Sequence, residues 1–391
     1  MSSPRRRLRS PAPLDDDDLL SEILLRLPPL PSSLPRASAV CRRWRRIASD
    51  PRFCRRFRAH HRRRNPPLLG CFVQDIDSIP FQPILEAPNR VPQARFAFPI
   101  HAGDPLGCRH GLVLFLRNAD QLLVWDPITG DQHRLDVPPG FDEDDSVGGA
   151  VLRSAAGHFQ FQVVLVGNSE IEPTRAVACV YSSATGEWGD LVSTPLPPKA
   201  SMSYRSTSIS MNHPCVLIEG SCYWSLAHGP GILAFDLDSQ SLSVIHLPVD
   251  LAHFDFLVVR AEGGRLGFFV VPGCSAQLWK WNRDCDGAAS WVLERSIELD
   301  KLLTLNPDDE RERPIVAGFA EESNVVLLCG HLLVSSRSSL NHCTPRNSLE
   351  LNAGFAVFHL KGSILQMRIL VLEAMEPNFC TIHNMICPVL S

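Results

Sequence analysis

A few places in this chain carry residue types that could do chemistry. Cys380-x-x-His383-x-x-x-Cys387 offers two thiols and an imidazole at metal-like spacing. It lacks a clear fourth ligand, and Ile382, Met385 and Ile386 between the three read as a half-buried strand. His342-Cys343 puts a base beside a nucleophile, without an obvious carboxylate to orient the imidazole. The run Phe141-Asp142-Glu143-Asp144-Asp145 could hold a cation or a basic partner, and as a solvated loop it needs neither. Arg5, Arg6, Arg7 and Arg9, with Arg62, Arg63 and Arg64, could serve nuclear import or contact phosphates, but no aromatics interleave them for base stacking. There is no G-x-S-x-G, no H-E-x-x-H and no Walker-type loop. No catalytic site, metal site or cofactor is therefore expected, and nucleic acid is not favoured as a partner.

One reactive group is scarce. The chain has 34 arginines and four lysines, Lys199, Lys280, Lys301 and Lys361, with none before residue 199. Acyl transfer onto a protein side chain needs an amine nucleophile, which arginine does not provide. Self-protection of the first half and an arginine-favouring composition both account for the pattern.

The elements that must carry function fall into two groups of opposite charge. Residues 1–64 hold 17 arginines against 6 acids, whereas the remainder is acidic by 15 charges. Such a split suits two modules with different surfaces. Thirteen scattered cysteines fit a reducing compartment, cytoplasm or nucleus, better than a disulfide framework. No apolar run reaches the ~18 residues a membrane span requires, so no membrane association is expected. The basic start lacks an apolar stretch behind it, which argues against a secretory signal.

Asp15 to Asp18 place acids where a helix begins, and Leu20, Ile23, Leu24 and Leu27 follow helical spacing until Pro28-Pro29 stops it. Ser33 is positioned to cap a second helix with Pro35 in its first turn. Val40, Trp44, Ile47 and Ala48 give that helix an apolar stripe among Arg42, Arg43, Arg45 and Arg46. Asp50-Pro51 restarts a helix carrying Phe53 and Phe57. The result is a three- or four-helix unit too short to bury enough surface alone, so a partner or neighbouring domain should complete it.

Beyond Cys71 the pattern becomes short apolar runs punctuated by Gly, Pro, Asn and Asp. A hairpin-like unit recurs at 122–138, 178–195, 232–248, 278–299 and 355–372. Its first aromatics, Trp125, Tyr181, Phe235 and Trp281, lie 56, 54 and 46 residues apart; the step to Phe358 is 77, and 319–328 could supply strands in between. Further strands, 110–116, 220–226 and 264–271, precede several units. Four strands per ~50 residues is the signature of propeller blades, and about six blades fit the length. A two-sheet sandwich array is the competing architecture.

DDDLLSEILLRLPP at 16–29 and LPRASAVCRRWRRIASDPRF at 34–53 resemble the F-box in order and spacing: leucine-rich helix, Pro-Pro break, Val-Cys-x-x-Trp helix, Asp-Pro exit. The family's opening Leu-Pro reads Leu14-Asp15 here, a departure confined to the entry turn. The downstream region is similar to the β-propeller-type F-box-associated domain of large plant families. The resemblance implies an α+β multidomain fold: a disordered basic tail over 1–13, a helical F-box over 14–60, a linker over 61–70, and an all-β, propeller-like (kelch-like) domain over 71–391. It implies a non-catalytic receptor that binds a Skp-type adaptor and, through it, a cullin, while the β domain holds a protein substrate near activated ubiquitin. Carried over by position, the adaptor contacts are Leu19, Leu20, Ile23, Leu24, Leu27, Pro28, Leu34, Val40, Cys41 and Trp44. Substrate contacts are expected in loops, with 138–148, 195–208 and 306–313 as candidates. A scaffold that keeps both modules without assembling a ligase is the alternative.

Overall fold

The computed structural model describes residues 16–61, 68–74, 80–96, 103–118, 120–141, 147–153, 160–172, 174–198, 207–210, 213–229, 231–248, 251, 254–283, 289–300, 314–321, 324–331, 354–359, 366–373 and 385–388. The tail over 1–13, His342-Cys343, Cys380 and His383 lie outside them.

Four helices open the chain: α1 (Asp17–Leu25), α2 (Ser33–Val40), α3 (Arg42–Ala48) and α4 (Pro51–His61). Asp16 caps α1, its carboxylate accepting from the backbone N–H groups of Asp18 and Leu19. Asp50 does the same for α4 through Arg52 and Phe53. The cap of α2 falls at Ser32, one residue before the expected Ser33, and it makes no side-chain bond to its own helix. The expected single helix through Val40 and Trp44 is broken at Cys41, whose backbone is fully extended (φ −162°, ψ 170°). The break turns Val40 outward, whereas Ile47 stays inside.

Beyond them the described residues form six sheets, with short 3-10 turns at Gln93–Phe96 and Glu262–Gly264. The first holds β1 (Leu68–Gln74) and β2 (Phe81–Pro83). The second is a four-strand meander: β3 (Asp104–Arg109), β4 (Leu112–Asn118), β5 (Gln121–Trp125) and β6 (Gln132–Asp136). The third contains β7 (Gly148–Arg153), β8 (Phe161–Asn168), β9 (Arg175–Ser182) and two short outer strands on β9, β10 (Glu187–Trp188) and β11 (Val192–Pro195). In the fourth, two short strands, β12 (Ser208–Ile209) and β13 (Val216–Ile218), share β14 (Ser221–Ala227), followed by β15 (Gly231–Asp236) and β16 (Ser241–His246). The fifth is β17 (Phe256–Arg260), β18 (Leu266–Val270), β19 (Ser275–Arg283) and β20 (Ala289–Glu298). The sixth begins with β21 (Ile315–Ala320) and β22 (Val325–His331).

Local chemistry sets the tight turns. His110-Gly111 and Glu219-Gly220 each place two successive residues at positive φ (53° and 75°, 49° and 82°), the pair a two-residue hairpin turn needs to match strand twist. The recurring aromatics mark one structural position: Trp125, Tyr181, Phe235 and Trp281 all stand on the third strand of their sheets. Alternate faces pack against the neighbouring sheet, so the core is a series of inter-sheet layers. Phe72 meets Trp125 at 5.8 Å between the first and second sheets, and Leu114, Val124, Val163 and Leu165 fill the next layer.

The last stretch corrects the sequence reading. Residues 355–372 are not a hairpin: β23 (Gly354–His359) pairs in parallel with β1, with Phe72 opposite Val357, while β24 (Gln366–Glu373) pairs with β22. β25 (Met385–Pro388) completes the sixth sheet beside β24. Phe358 therefore belongs to the first sheet, which is why its 77-residue step broke the period. β23 also lies against β3 and β21, the inner strands of the second and sixth sheets. Among the described residues six blades thus close into a ring, the first built from both ends of the β region.

Candidate adaptor-binding face

Leu20, Leu24, Leu25, Ala37, Ile47, Phe53 and Phe57 form the closed core of the helical unit. Leu27, Leu34 and Trp44 lie half-buried at its border. Helix spacing explains the choice, because residues four apart share a face. Leu20 and Leu24 point inward, and the residues just before them, Leu19 and Ile23, point out, 43% and 36% exposed. Val40 is 61% exposed at the α2–α3 break, with Cys41 and Pro28 also in solvent. The ten predicted contacts therefore separate into an outer set (Leu19, Ile23, Pro28, Val40, Cys41), a border set, and two residues, Leu20 and Leu24, that serve the core.

Ion pairs hold the helices at this face. Arg43 Nε and Arg46 Nη2 donate to the two oxygens of Asp17 at 2.6 and 2.7 Å, tying α3 to the first turn of α1. Arg56 pairs with Glu22, tying α4 to α1. His61 shares a 2.9 Å hydrogen bond with the Leu25 carbonyl. The Arg43 hydrogen bond, against a desolvation cost and with the Arg43 and Arg46 charges, holds the Asp17 carboxyl below the usual carboxylate range. A lowered folded-state pKa means that this tie is present above the ordinary value and lost as pH falls through the depressed one. Hydrogen exchange in α1 and α3 should therefore accelerate below the ordinary carboxylate range. Asp17→Asn should exchange faster at neutral pH and show a smaller change there; equal profiles would refute the role.

One contact here had no sequence signal. Asn89, in the connection after β2, accepts from the Ser32 backbone N–H (3.2 Å) and from its hydroxyl (2.6 Å). It joins the α1–α2 connection to the first blade.

In the β domain a charged cluster ties the blades at the ends of their inner strands. Arg109 at the end of β3 donates to Glu321, just after β21, and to the Cys215 carbonyl at 3.0 Å. Arg260 at the end of β17 donates to the other Glu321 oxygen at 3.0 Å and to the Leu217 carbonyl at 2.9 Å. Three blades thereby meet on one carboxylate, and the arginines tie in the fourth through its backbone carbonyls. Burial works against the Arg109 charge, but Glu321 beside it, together with Cys215 and Cys222, keeps the guanidinium protonated beyond its ordinary range. Both arginines are engaged within the protein, so the cluster reads as a structural tie.

Among the described residues no three His, Cys, Asp or Glu side chains group to hold a metal, and no helix is long and apolar enough to cross a membrane. Of the candidate substrate loops, 142–146, 199–206 and 306–313 lie outside the described residues.

A helical unit with this fold and outer apolar row, followed by a six-bladed ring, defines an F-box protein with a β-propeller. The chain belongs to the family described as "F-box protein AT5G49610-like, beta-propeller", matched over residues 106–326, and carries an F-box-like domain over residues 17–60. It is 24% identical over 329 residues to the Arabidopsis thaliana "Putative F-box protein At3g21120", covering 76% of this chain and 85% of that one. Likeness to solved structures is slight. A luciferin-regenerating enzyme aligns at TM-score 0.34 and 8% identity, over 58% of this chain and 68% of that one. The Myceliophthora thermophila Cps50 (Swd1) β-propeller domain aligns at 0.30 and 12%, over 56% and 64%. F-box proteins in general are substrate receptors of Skp–cullin–F-box ligases, and F-box domains in general bind Skp-type adaptors.

Proposed function

We propose that this chain is the substrate receptor of one such ubiquitin ligase, docking a Skp-type adaptor on its helical module and a protein substrate on its propeller. The observation that carries this is the outer row Leu19, Ile23 and Val40 on a bundle whose core is already closed. Apolar side chains left in solvent on so small a unit gain about 25 cal/mol per Å² when a partner groove covers them. Pro28 and Cys41 border the row, and Leu27, Leu34 and Trp44 support it from beneath. Leu20 and Leu24 act on the adaptor indirectly, by holding α1 in place.

On this reading the receptor performs no bond chemistry. It raises the concentration of a bound substrate near ubiquitin activated on the cullin-bound enzyme. The adaptor module spans 14–60 and the receptor domain 71–391, with α4 reaching His61 and β1 starting at Leu68 between them. The odd number and scattered placement of the thirteen cysteines support a cytoplasmic or nuclear setting.

Retention of the full-length chain on an immobilised Skp-type adaptor tests this. Wild type should be retained. Leu19→Asp with Ile23→Asp should lose about a hundredfold in affinity, roughly 2.7 kcal/mol, as hot-spot apolar contacts do. Both side chains are exposed, so the melting temperature should stay within a few degrees of wild type. No retention of wild type would sink the ligase reading.

A further inference from the structure

The helical module is covered in cations, and every one is arginine. Arg26, Arg36, Arg42, Arg45, Arg46, Arg52, Arg55 and Arg56 are all exposed. Arginine is chemically preferred where its planar fork grips a carboxylate or stacks on an aromatic. Arg43, Arg46 and Arg56 use that fork, on Asp17 and Glu22. Arg52 and Arg55 form no ion pair among the described residues, so a lysine would serve equally well as a solvated charge there.

The same omission runs further. No lysine precedes residue 199, and the chain has four in all. Lys280 is the one lysine among the described residues, and it is not a free amine. Its Nζ lies 3.4 Å from Glu294 Oε1, with the lysine side chain 27% and the carboxylate 17% exposed. It stands on β19 in the fifth blade, whereas the helical module joins the ring at the first.

We infer that the adaptor-proximal half of the receptor is built to escape modification by its own ligase, through arginine in place of lysine, with the one described lysine of the ring held in an ion pair in the fifth blade. The inference rests on the ligase reading above. In that assembly a thioester-linked ubiquitin is brought close to the receptor repeatedly. Transfer forms a bond from an amine nitrogen to the ubiquitin carbonyl carbon. The carbon–sulfur bond breaks, and the enzyme thiol leaves with the proton that the amine gives up. A guanidinium stays protonated and offers no such nitrogen. A lysine held by a carboxylate must first leave its partner.

The test reconstitutes full-length receptor with Skp-type adaptor, cullin and ubiquitin-charged conjugating enzyme, comparing wild type with Arg52→Lys/Arg55→Lys. These positions lie outside the docking row and keep their charge, so adaptor binding and melting temperature should not change. Receptor–ubiquitin conjugates should rise several-fold, with the new linkages mapped by mass spectrometry to positions 52 and 55. Discharge of ubiquitin to free lysine in both mixtures shows that each assembly is active. Equal conjugation of the two receptors in active mixtures would overturn the inference, as would wild type extensively modified at Lys280. Wild type that never joins the adaptor would instead overturn the ligase reading, and this inference with it.

Discussion

Glu321→Ala should lower the unfolding free energy of the chain by about 3–5 kcal/mol, the cost of removing one partner from a buried ion cluster. The figure is large against a total stability of roughly 5–15 kcal/mol for a folded domain. The reason lies in what is left behind. Arg109 is 6% exposed and would keep its charge with, among the described residues, the Cys215 carbonyl and thiol for company. Arg260, a third exposed, would turn to water. The asymmetry supplies an internal control: Arg260→Ala should cost only about 1 kcal/mol, because a half-solvated pair contributes little. Urea unfolding of the full-length chain, followed by tryptophan fluorescence, reads both. Equal midpoints for wild type and Glu321→Ala would show that the cluster does not tie the blades.

Trp224→Ala should have a cost of similar size for a different reason. The side chain is 1% exposed and sits in the layer between the third and fourth blades, among Val166, Ile209, Leu233 and Phe235. Truncation removes a ring and leaves a void that its neighbours fill only in part, about 3–5 kcal/mol for a buried tryptophan. Collapse is resisted from one side by Gly148: the tryptophan ring lies 3.1 Å from where a Cβ would stand there, so backbone already abuts it. The loss should be local at first. Amide exchange should accelerate in β8, β14 and β15 before it does in β17–β19. Uniform acceleration across all blades would mean that the ring unfolds as one unit and that this layer has no independence.

The sequence carried more of the propeller than its connectivity. The hairpins at 122–138, 232–248 and 278–299 were legible because they are local: an apolar run, a turn of fixed chemistry, and a return. Residues 355–372 have the same local look and fold otherwise, because β23 pairs with β1 across nearly the whole β region. A parallel partner leaves no trace in nearby residues. The fourth blade shows a related limit. Its inner strand is split into β12 and β13, with 210–215 between them, and a pattern search sees two fragments too short to score. The Arg109–Glu321 pair joins residues 212 apart and was invisible for the same reason.

The proposed docking face was half legible. The F-box resemblance gathered ten positions without dividing them, and helical phase alone tells Leu20 and Leu24 from Leu19 and Ile23 only once the core is known to lie on one side. Val40 was assigned to the same stripe as Trp44; the extended backbone at Cys41 turned it out.

The pairing of β1 with β23 also fixes an order of events at the ribosome. The helical module emerges first, and β1 follows it at once, yet β1 must wait for Gly354–His359 before it gains its parallel neighbour. Domains fold as they are released, amino terminus first. A chain broken off after the fifth sheet but before Gly354 keeps all four helices and the row Leu19, Ile23 and Val40, but it holds an open ring with an unpaired strand edge. If the helices dock as proposed, such a fragment occupies the adaptor and delivers nothing. Premature termination in this gene would then act as a competitor of the intact receptors that share the adaptor, rather than as a simple loss.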